Sequence, residues 1–397
     1  MKIKRCLLFT FATSIFLTVF LRGEYTFFTP PGSFAVEVSL ENSPYLRLPI
    51  YRNAITSLEV VGDYALGGTS ASPSMSPFLF AVSLSRRRLE LVLDLSRVFP
   101  GQRCVQSGFG RGPEGFLYAG TIPDKPGDGG HLFKFRVKGN EIEVGDLGVP
   151  IVGQGIFALA ADGKRGRLYG ISYPSGKFFM HDLRDQKTKL FDQTSPTKET
   201  IAFLHQYALN PEDYLPRRLA IDKNGRIYGS QPLNKIFRFD PETQKIDVLE
   251  DELPEVWGRR ALGRVDAWAM APDGNLYGGN AGDGQLFKLD PISAKVTNLG
   301  KPVMMPRITG LTFGADGKLY GVAGVSPGYA HLFSYDPSGR GFVDLGNPRF
   351  TMTEPGLEQG IAWRGFQIGS VAASEDGHTI VLGEEESLSQ LMVFPIQ

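Results

Sequence analysis

Residues 271–300, APDGNLYGGNAGDGQLFKLDPISAKVTNLG, decide the fold of this chain. An Asp-Gly turn precedes the short apolar run NLYGG, and QLFKL alternates polar and apolar side chains before it stops at Asp-Pro. The last part, AKVTNLG, alternates again and stops at glycine. Alternation with period two predicts half-buried strands, and the Asp-Gly and Asp-Pro pairs predict tight turns between them. With the preceding apolar run VDAWAMA, the unit predicts four strands in roughly 45 residues, the size of one propeller blade.

The same unit recurs along the chain. Including the copy quoted above, seven copies begin at Gly62, Gly112, Ala160, Asp222, Ala271, Gly314 and Ser374. The last copy has only three strands, and the alternating stretch GSFAVEVSL, which starts at Gly32, can supply the fourth. Such closure removes the unpaired sheet edges that an open blade would leave. We therefore predict an all-β fold over residues 31–397: a seven-bladed β-propeller closed by an N-terminal strand, with a core between blades that needs no helices.

The first 30 residues differ from the repeats. Basic MKIKR precedes an uncharged apolar stretch at residues 6–21, which is shorter than the ~20 residues of a full membrane span. The basic flank and the lack of alternation argue against a buried propeller strand, and favour an N-terminal hydrophobic signal or anchor helix. We predict that residues 1–30 are a signal peptide or a membrane anchor. No small-x-small cleavage site is evident near Arg22, which favours the anchor. The propeller is then exported, either periplasmic or extracellular, or held at the membrane by its N-terminus.

Composition narrows the partners. The chain has 42 basic and 42 acidic residues, so it lacks the basic surface that a nucleic-acid partner needs. Of its two cysteines, Cys6 lies in the export segment, which leaves Cys104 alone in the propeller and excludes a disulfide framework. We expect Cys104 to fill space as a small apolar residue. His131 and His331 occupy the same slot of non-adjacent repeats, which favours a structural role. No metal-binding motif is strong enough to assign a metal site, and we predict no cofactor.

The variable connections predict where ligands bind. With strands lettered A to D from the centre outward, the A–B and C–D turns share one face, here called the turn face. The B–C and D–A connections share the other, here called the loop face. The A–B turns are short and uniform, whereas the loop-face connections vary in length and composition, as functional loops on a rigid frame do. We therefore place the site on the loop face, around the axial opening.

Arginines and aromatic residues are concentrated in three D–A connections and in the slot before strand A. Aligning the blades on their Asp-Gly turns puts Arg264 and Arg307 in the same slot, at the channel mouth. A guanidinium group forks onto a carboxylate, and an aromatic face suits a pyranose ring, so the cluster predicts an anionic sugar site. A single arginine in such a loop is more often a structural hydrogen-bond donor, and the tryptophans are equally well explained as hydrophobic plugs. The candidate substrate-binding residues are Arg218, Trp257, Arg260, Arg264, Arg307, Trp363 and Arg364.

His205 and Tyr207 are the candidate catalytic pair. Both side chains can transfer protons near neutral pH once their environment shifts their pKa values, but they serve equally well as loop anchors. The leading hypothesis is an exported propeller that binds an acidic oligo- or polysaccharide and, if it is an enzyme, cleaves it by β-elimination at a uronate. The arginines would neutralise the uronate carboxylate while His205 or Tyr207 moves protons. The alternative is a non-catalytic binding or scaffold propeller of the cell envelope, using the same face for a glycan or a protein.

The pattern DGxLYGxxxxxxxLFxxDPxTxKxxxLG resembles the seven-bladed propeller superfamily that includes streptogramin-lyase-like and NHL-like proteins. It is more distantly similar to propeller polysaccharide lyases such as oligogalacturonate and rhamnose–glucuronate lyases. The resemblance covers roughly Gly32 to the C-terminus and rests on turn motifs, which specify blades and not chemistry. Oligogalacturonate lyases bind a metal through clustered histidines and a glutamine, and the five scattered histidines here do not match that pattern.

Overall fold

The computed structural model describes residues 26–39, 46–49, 51–106, 108–255, 260–324, 329–339, 341–353, 362–386 and 389–396. These residues form seven twisted sheets arranged around one axis, so the chain is an all-β, seven-bladed propeller, as predicted. The apolar stretch predicted at residues 6–21 lies outside the described residues. None of the described helices is long and apolar enough to span a membrane.

The strands follow the order of the repeats. The N-terminal strands are β1 (Phe27–Phe28) and β2 (Phe34–Glu37). The first blade and its extension comprise β3 (Ala54–Val61), β4 (Tyr64–Ser70), β5 (Phe78–Ser83), β6 (Arg88–Asp94) and β7 (Gln102–Cys104). The second comprises β8 (Gly110–Arg111), β9 (Leu117–Gly120), β11 (Leu132–Lys138) and β12 (Glu141–Asp146), while the intervening β10 (Ile122–Pro123) pairs with β7. The third comprises β13 (Gly155–Asp162), β14 (Arg167–Tyr173), β15 (Phe178–Asp182) and β16 (Thr188–Phe191).

The remaining four blades have the same build. The fourth comprises β17 (Ala220–Ile221), β18 (Ile227–Gln231), β19 (Lys235–Asp240) and β20 (Lys245–Val248). The fifth comprises β21 (Val265–Met270), β22 (Leu276–Asn280), β23 (Leu286–Asp290) and β24 (Lys295–Gly300). The sixth comprises β25 (Ile308–Phe313), β26 (Leu319–Ala323), β27 (His331–Tyr335) and β28 (Phe342–Thr351), with β29 (Ala362–Arg364) paired to β28. The seventh contains β30 (Ile368–Ala373), β31 (Thr379–Glu384) and β32 (Gln390–Pro395).

The N-terminal strand closes the ring, which confirms the prediction for the stretch after Gly32. Strand β2 pairs antiparallel with β32 and becomes the outermost strand of the seventh blade, with Phe34 opposite Val393. The shorter β1 adds a parallel edge to β28 of the sixth blade. The first described residues therefore join two neighbouring blades.

The repeated LYG and LF motifs have a packing explanation. In five blades, a glycine of the second strand lies directly opposite a phenylalanine of the third: Gly67–Phe80, Gly170–Phe179, Gly229–Phe237, Gly278–Phe287 and Gly321–Phe333. A Cβ atom at Gly67 would lie 2.1 Å from the ring of Phe80, and the other four glycines meet their rings at 2.2–2.6 Å. All five phenylalanines are fully buried. The glycine makes room for the ring, which then fills the space between sheets.

Two short helices lie where the sequence predicted none. Helices α1 (Lys198–His205) and α2 (Pro211–Tyr214) occupy the connection between the third and fourth blades. Leu204, Tyr214 and Leu215 of this connection pack against Phe157 and Cys104. The helices therefore cover part of the loop face, and the cores between blades remain built from strands. The described 3₁₀ turns are Leu95–Arg97, Pro113–Gly115, Asp192–Thr194 and Arg260–Leu262.

Cys104, His131 and His331, for which the sequence favoured structural roles, have surroundings that suit such roles. Cys104 is buried, and burial raises the pKa of its thiol to about 12. The Nδ1 atoms of His131 and His331 each lie 3.2 Å from an aspartate of the adjacent outer strand, Asp146 and Asp344. No cluster of three or more metal-ligating side chains occurs in the described part of the chain.

Candidate functional site: an arginine cluster at the axial mouth

A β-bulge near the start of the innermost strand aims one side chain of several blades at the loop-face mouth of the axis. The pairing register slips at this point in the first, third, fifth, sixth and seventh blades. In the fifth blade the unpaired residue is Asp266, and in the sixth it is Thr309. A bulge re-aims the side chain that it leaves unpaired, and here it directs a carboxylate toward the axis.

Asp266 is the centre of an ion-pair network. Its carboxylate accepts two hydrogen bonds from Arg264, at 2.7 and 3.2 Å, and one from Nε of Arg307 at 3.0 Å. The Nε atom of Arg217 lies 3.9 Å away. Burial alone would raise the pKa of Asp266, but the charges of the three arginines outweigh burial and hold that pKa well below its usual range. Asp266 is therefore ionised at any physiological pH.

Glu385 joins the network from the seventh blade. It directly follows β31, and its carboxylate lies 3.4 Å from Nη1 of Arg217 and 3.7 Å from Nη2 of Arg307. Its backbone N–H donates to the carbonyl of Gln367, which precedes the innermost strand of the same blade. The fourth, fifth, sixth and seventh blades thus meet through charged groups at one point on the axis.

Arg218 ties the same region together through the backbone. Its guanidinium donates to the carbonyl oxygens of Thr56 at 2.9 Å, Gln106 at 3.2 Å and Arg217 at 3.2 Å. Within the described residues, no carboxylate lies within salt-bridge distance of it. Burial, together with the neighbouring charge of Arg217, lowers the pKa of Arg218 to about 10, so it is still cationic at neutral pH.

The axial cluster, defined as Arg217, Arg218, Arg264, Asp266, Arg307 and Glu385, carries more positive than negative charge. Four guanidinium groups face two carboxylates. The side chains of Arg217 and Arg307 are 19% and 16% exposed, whereas Asp266 is only 2% exposed. Asp266 is thus buried beneath arginines that solvent can reach, whereas Glu385 is 18% exposed, about as much as the arginines themselves. The cluster attracts anions because it holds more guanidinium groups than carboxylates.

The remaining predicted binding residues lie outside this cluster. Arg260 is exposed and pairs with Glu252 at 2.7 Å. The guanidinium of Arg364 stacks over Tyr329 and Phe27, at 4.1 and 4.8 Å from the ring centres, so it holds the edge of the sixth blade. Trp257 and the side chain of Trp363 lie outside the described residues. Of the predicted binding set, the structure therefore brings together Arg218, Arg264 and Arg307.

The predicted catalytic pair is not part of the axial mouth. His205 is the last residue of α1 and is exposed, and Tyr207 is 58% exposed with its ring against Phe203. Neither side chain lines the axial cavity. Both belong to the surface of the helical connection.

Sequence reasoning did not assign Arg217, Asp266 or Glu385 to the site. A signal for Glu385 was present, because the run GEEE directly follows a predicted strand, where a B–C connection starts. The signal for Asp266 was hidden, because strict alternation conceals a bulge. Only the observed register places its carboxylate among the arginines.

Comparison with known proteins supports the fold and leaves the chemistry open. No protein-family model matches the chain, and no curated protein does either. Among solved structures, streptogramin B lyase superposes with a TM-score of 0.62 at 11% identity, covering 92% of this chain and 98% of that one. Virginiamycin B lyase from Staphylococcus aureus gives 0.61 at 11% identity, covering 91% and 98%.

A third similar structure is the extracellular domain of a protein described as a hybrid two-component system of B. thetaiotaomicron. It gives a TM-score of 0.56 at 14% identity, and the match covers 90% of this chain and 39% of that one. Identities this low establish shared architecture alone. The chain is a seven-bladed β-propeller whose overall fold is similar to that of streptogramin B lyase.

Proposed function

We propose that this protein is an exported propeller that binds an acidic oligo- or polysaccharide at the loop-face mouth of its axis. The observation that carries the proposal is the excess of guanidinium groups over carboxylates in the axial cluster. Arg217 and Arg307 can be reached from solvent, and a guanidinium fork matches a uronate carboxylate. The apolar N-terminal stretch and the similarity to an extracellular domain support export.

Binding has more support than cleavage. β-Elimination needs a base within hydrogen-bond reach of the proton that it removes. His205 and Tyr207 do not line the axial cavity, and Asp266 is already engaged by arginines. We therefore propose recognition of the carboxylate as the function of the cluster, and treat β-elimination as a further activity that a product assay can detect.

Calorimetry with trigalacturonate and its fully methyl-esterified form tests the proposal. The esterified ligand keeps the sugar rings and loses the charges. We expect the purified protein to bind the acid at least tenfold more tightly than the ester, and the preference to weaken with added salt. Arg307→Gln should remove most of the preference. Arg88→Gln changes an exposed arginine on the outer strand β6 and should leave it unchanged.

Equal affinity for acid and ester would refute carboxylate recognition. Absorbance of the unsaturated product, followed in the same samples, reports β-elimination directly.

A specific observation favours the alternative, a protein-binding platform. Sixteen large apolar side chains are exposed among the described residues, and eleven of them lie in the B–C and D–A connections. Every D–A connection contributes at least one. They are Leu46, Tyr51, Met75, Val98, Val149, Val152, Phe203, Tyr207, Leu262, Met304 and Phe366. Large apolar side chains that are exposed together on one face mark protein–protein interaction sites.

Charge substitutions on the two faces separate this alternative from chance exposure. Val152 and Met304 are 91% and 88% exposed on the loop face, and Ile292 is 89% exposed on the turn face. The measurement compares which envelope proteins are retained by each immobilised variant. If the loop face binds a protein, the double variant Val152→Glu with Met304→Glu should fail to retain an envelope protein that the unmodified chain and Ile292→Glu both retain. Identical retained proteins for all three would contradict the platform.

A further inference from the structure

A cavity away from the axis lies between the sixth and seventh blades on the turn face. It has a volume of about 590 Å³, within the range of small-molecule sites. Its walls come from the A–B and C–D turns of the sixth blade, the end of β32 and the N-terminal segment between β1 and β2. None of its lining residues belongs to the axial cluster, so this cavity is independent of the proposed function.

Aromatic rings contribute to the lining of this cavity. Phe394 of β32 contacts Phe28 of β1 edge to face, with 5.1 Å between the ring centres, and lies 6.0 Å from the ring centre of Tyr320. Phe342, the first residue of β28, lines the cavity as well. Phe28 and Phe342 are only half-buried, so part of each ring remains exposed. The face of an aromatic ring attracts organic cations.

Aliphatic side chains that solvent can reach add further apolar surface. Pro30, Leu345 and Pro395 line the cavity and are half-buried, and Val343 of β28 is 56% exposed. The apolar surface of the cavity is therefore not confined to side chains that are fully buried between the blades. It is available for the methyl groups of a small ligand.

The described lining also carries two carboxylates and one ammonium group, those of Asp316, Asp336 and Lys318. Asp316 is already engaged, because its carboxylate lies 3.1 Å from Nζ of Lys318 and accepts a hydrogen bond from the hydroxyl of Tyr320 at 3.0 Å. Among the described residues, no cation lies within salt-bridge distance of Asp336. The carboxylate without a counter-charge in this lining is therefore that of Asp336.

The described residues use only one carboxylate oxygen of Asp336. Its Oδ1 accepts hydrogen bonds from the hydroxyl of Ser338 at 2.7 Å and from the backbone N–H groups of Ser338 and Gly339, at 2.8 and 3.2 Å. These hydrogen bonds, that of the Ser338 hydroxyl foremost, hold the pKa of Asp336 below its usual value, so the carboxylate is ionised at neutral pH. Its Oδ2 accepts no hydrogen bond from the described residues and remains available to a cation.

We propose that this cavity binds a quaternary ammonium ion, such as choline. The positive charge would lie near Asp336, and the methyl groups around it would pack on Phe28, Phe342 and Val343. Such a cation has no N–H to donate, so it is bound by a nearby negative charge and by aromatic and apolar surface, and the cavity offers all three.

Calorimetry with choline and with 3,3-dimethylbutan-1-ol tests the proposal. The alcohol has the shape of choline with a carbon atom in place of the charged nitrogen, so it keeps the methyl groups and loses the charge. We expect the purified protein to bind choline at least tenfold more tightly than the alcohol, and added salt to weaken this preference. Equal affinity for the two compounds, or no binding of choline, would overturn the proposal.

Two variants with matched controls locate the site. Val343→Trp places a large ring in the cavity, whereas Val248→Trp makes the same change at a 50% exposed position of the outer strand β20. Asp336→Asn removes the charge and keeps an oxygen for the turn, and Asp290→Asn does the same in the corresponding turn of the fifth blade.

Val343→Trp and Asp336→Asn should each weaken binding of choline at least tenfold, and the two controls should bind it as the unmodified chain does. All four variants should keep the melting temperature and the affinity for trigalacturonate, because the changed positions lie on the surface and outside the axial cluster. Normal binding of choline by Val343→Trp or by Asp336→Asn would overturn the proposal.

Removal of a positive charge near the cavity should not weaken binding. Lys318→Gln leaves Asp316 without its counter-charge, so choline should bind at least as tightly as before. Arg340, which follows the lining residue Gly339, lies outside the described residues, and Arg340→Gln should likewise bind choline no more weakly. Weaker binding in either variant would mean that the cavity prefers an anion, and would contradict the proposal.

A quaternary ammonium group occurs both as a free cation and in a lipid headgroup, and competition separates the two sources. Phosphatidylcholine vesicles that displace choline, when phosphatidylglycerol vesicles do not, would identify a headgroup ligand. Choline binding that neither kind of vesicle affects would identify a free cation.

Discussion

Replacing Asp266 by asparagine should destabilise the protein strongly, although the two side chains have nearly the same shape. Asp266 is the acceptor for two hydrogen bonds from Arg264 and one from Arg307, and Arg217 lies 3.9 Å away. Asparagine leaves these guanidinium groups buried, and the carboxylate of Glu385 remains within 4 Å of Arg217 and Arg307. Removal of one partner from a buried ion pair costs about 3–5 kcal/mol, and we expect a loss of that size in the free energy of unfolding.

Chemical denaturation at several pH values measures this loss and its sign. The pKa of Asp266 is depressed in the folded state, so its contribution is fully present above the unfolded pKa of about 3.9 and is lost as the pH falls through the folded pKa. The difference between Asp266→Asn and the unmodified chain should be constant from pH 5 to pH 8 and shrink below about pH 4.

The matched control is Asp247→Asn, which removes a 55% exposed carboxylate paired with Arg238 at 3.4 Å. We expect it to change stability by less than about 1 kcal/mol. A loss below about 1 kcal/mol for Asp266→Asn at pH 7, or a difference that grows below pH 4, would refute the buried-carboxylate reasoning.

Three further predictions concern the ring. Gly278→Ala places a Cβ 2.3 Å from the Phe287 ring and should lower the free energy of unfolding by about 1–3 kcal/mol. The loss should be smaller in a Phe287→Leu background, and equal losses in both backgrounds would contradict the packing explanation. Val36→Asp buries a charge in the closing strand and should lower the free energy of unfolding by at least about 3 kcal/mol. Thr29→Asp, at an exposed position before that strand, should be nearly neutral, and a stable Val36→Asp variant would mean that β2 is not needed for closure. At pH 8, Cys104 should react with a thiol reagent only when the protein is unfolded, because burial raises the pKa of its thiol to about 12. Rapid reaction of both cysteines in the folded protein would show that the core is open.

Much of the fold could be read from local signals. The Asp-Gly and Asp-Pro turns and the period-two alternation are properties of short stretches, and each unit cannot bury its own apolar face. Seven such units with a fourth strand missing from the last one imply a ring closed from the N-terminus, and β2 takes that place. The helices of residues 198–214 were missed because their apolar residues serve one small cluster on the loop face, which local periodicity does not report.

The site was predicted in part. Arg264 and Arg307 share a repeat slot, and equivalent slots in a ring converge on the axis, so their meeting follows from symmetry. Arg260 and Arg364 belong to neighbouring connections, but their partners Glu252 and Tyr329 hold them away from the axis. Sequence proximity to a site residue therefore did not predict membership of the site.

The sequence by itself determined the number of blades, the closing strand and the excess of arginines near the axis, because each follows from a pattern repeated along the chain. Only the tertiary structure decided which arginines are already paired and which carboxylates they pair with. These properties depend on contacts between distant residues, such as that of Arg217 with Glu385, which are 168 residues apart in the chain. They also depend on the β-bulge that leaves Asp266 unpaired and turns its side chain toward the axis. A local pattern cannot encode such contacts, because they arise only when the ring has closed.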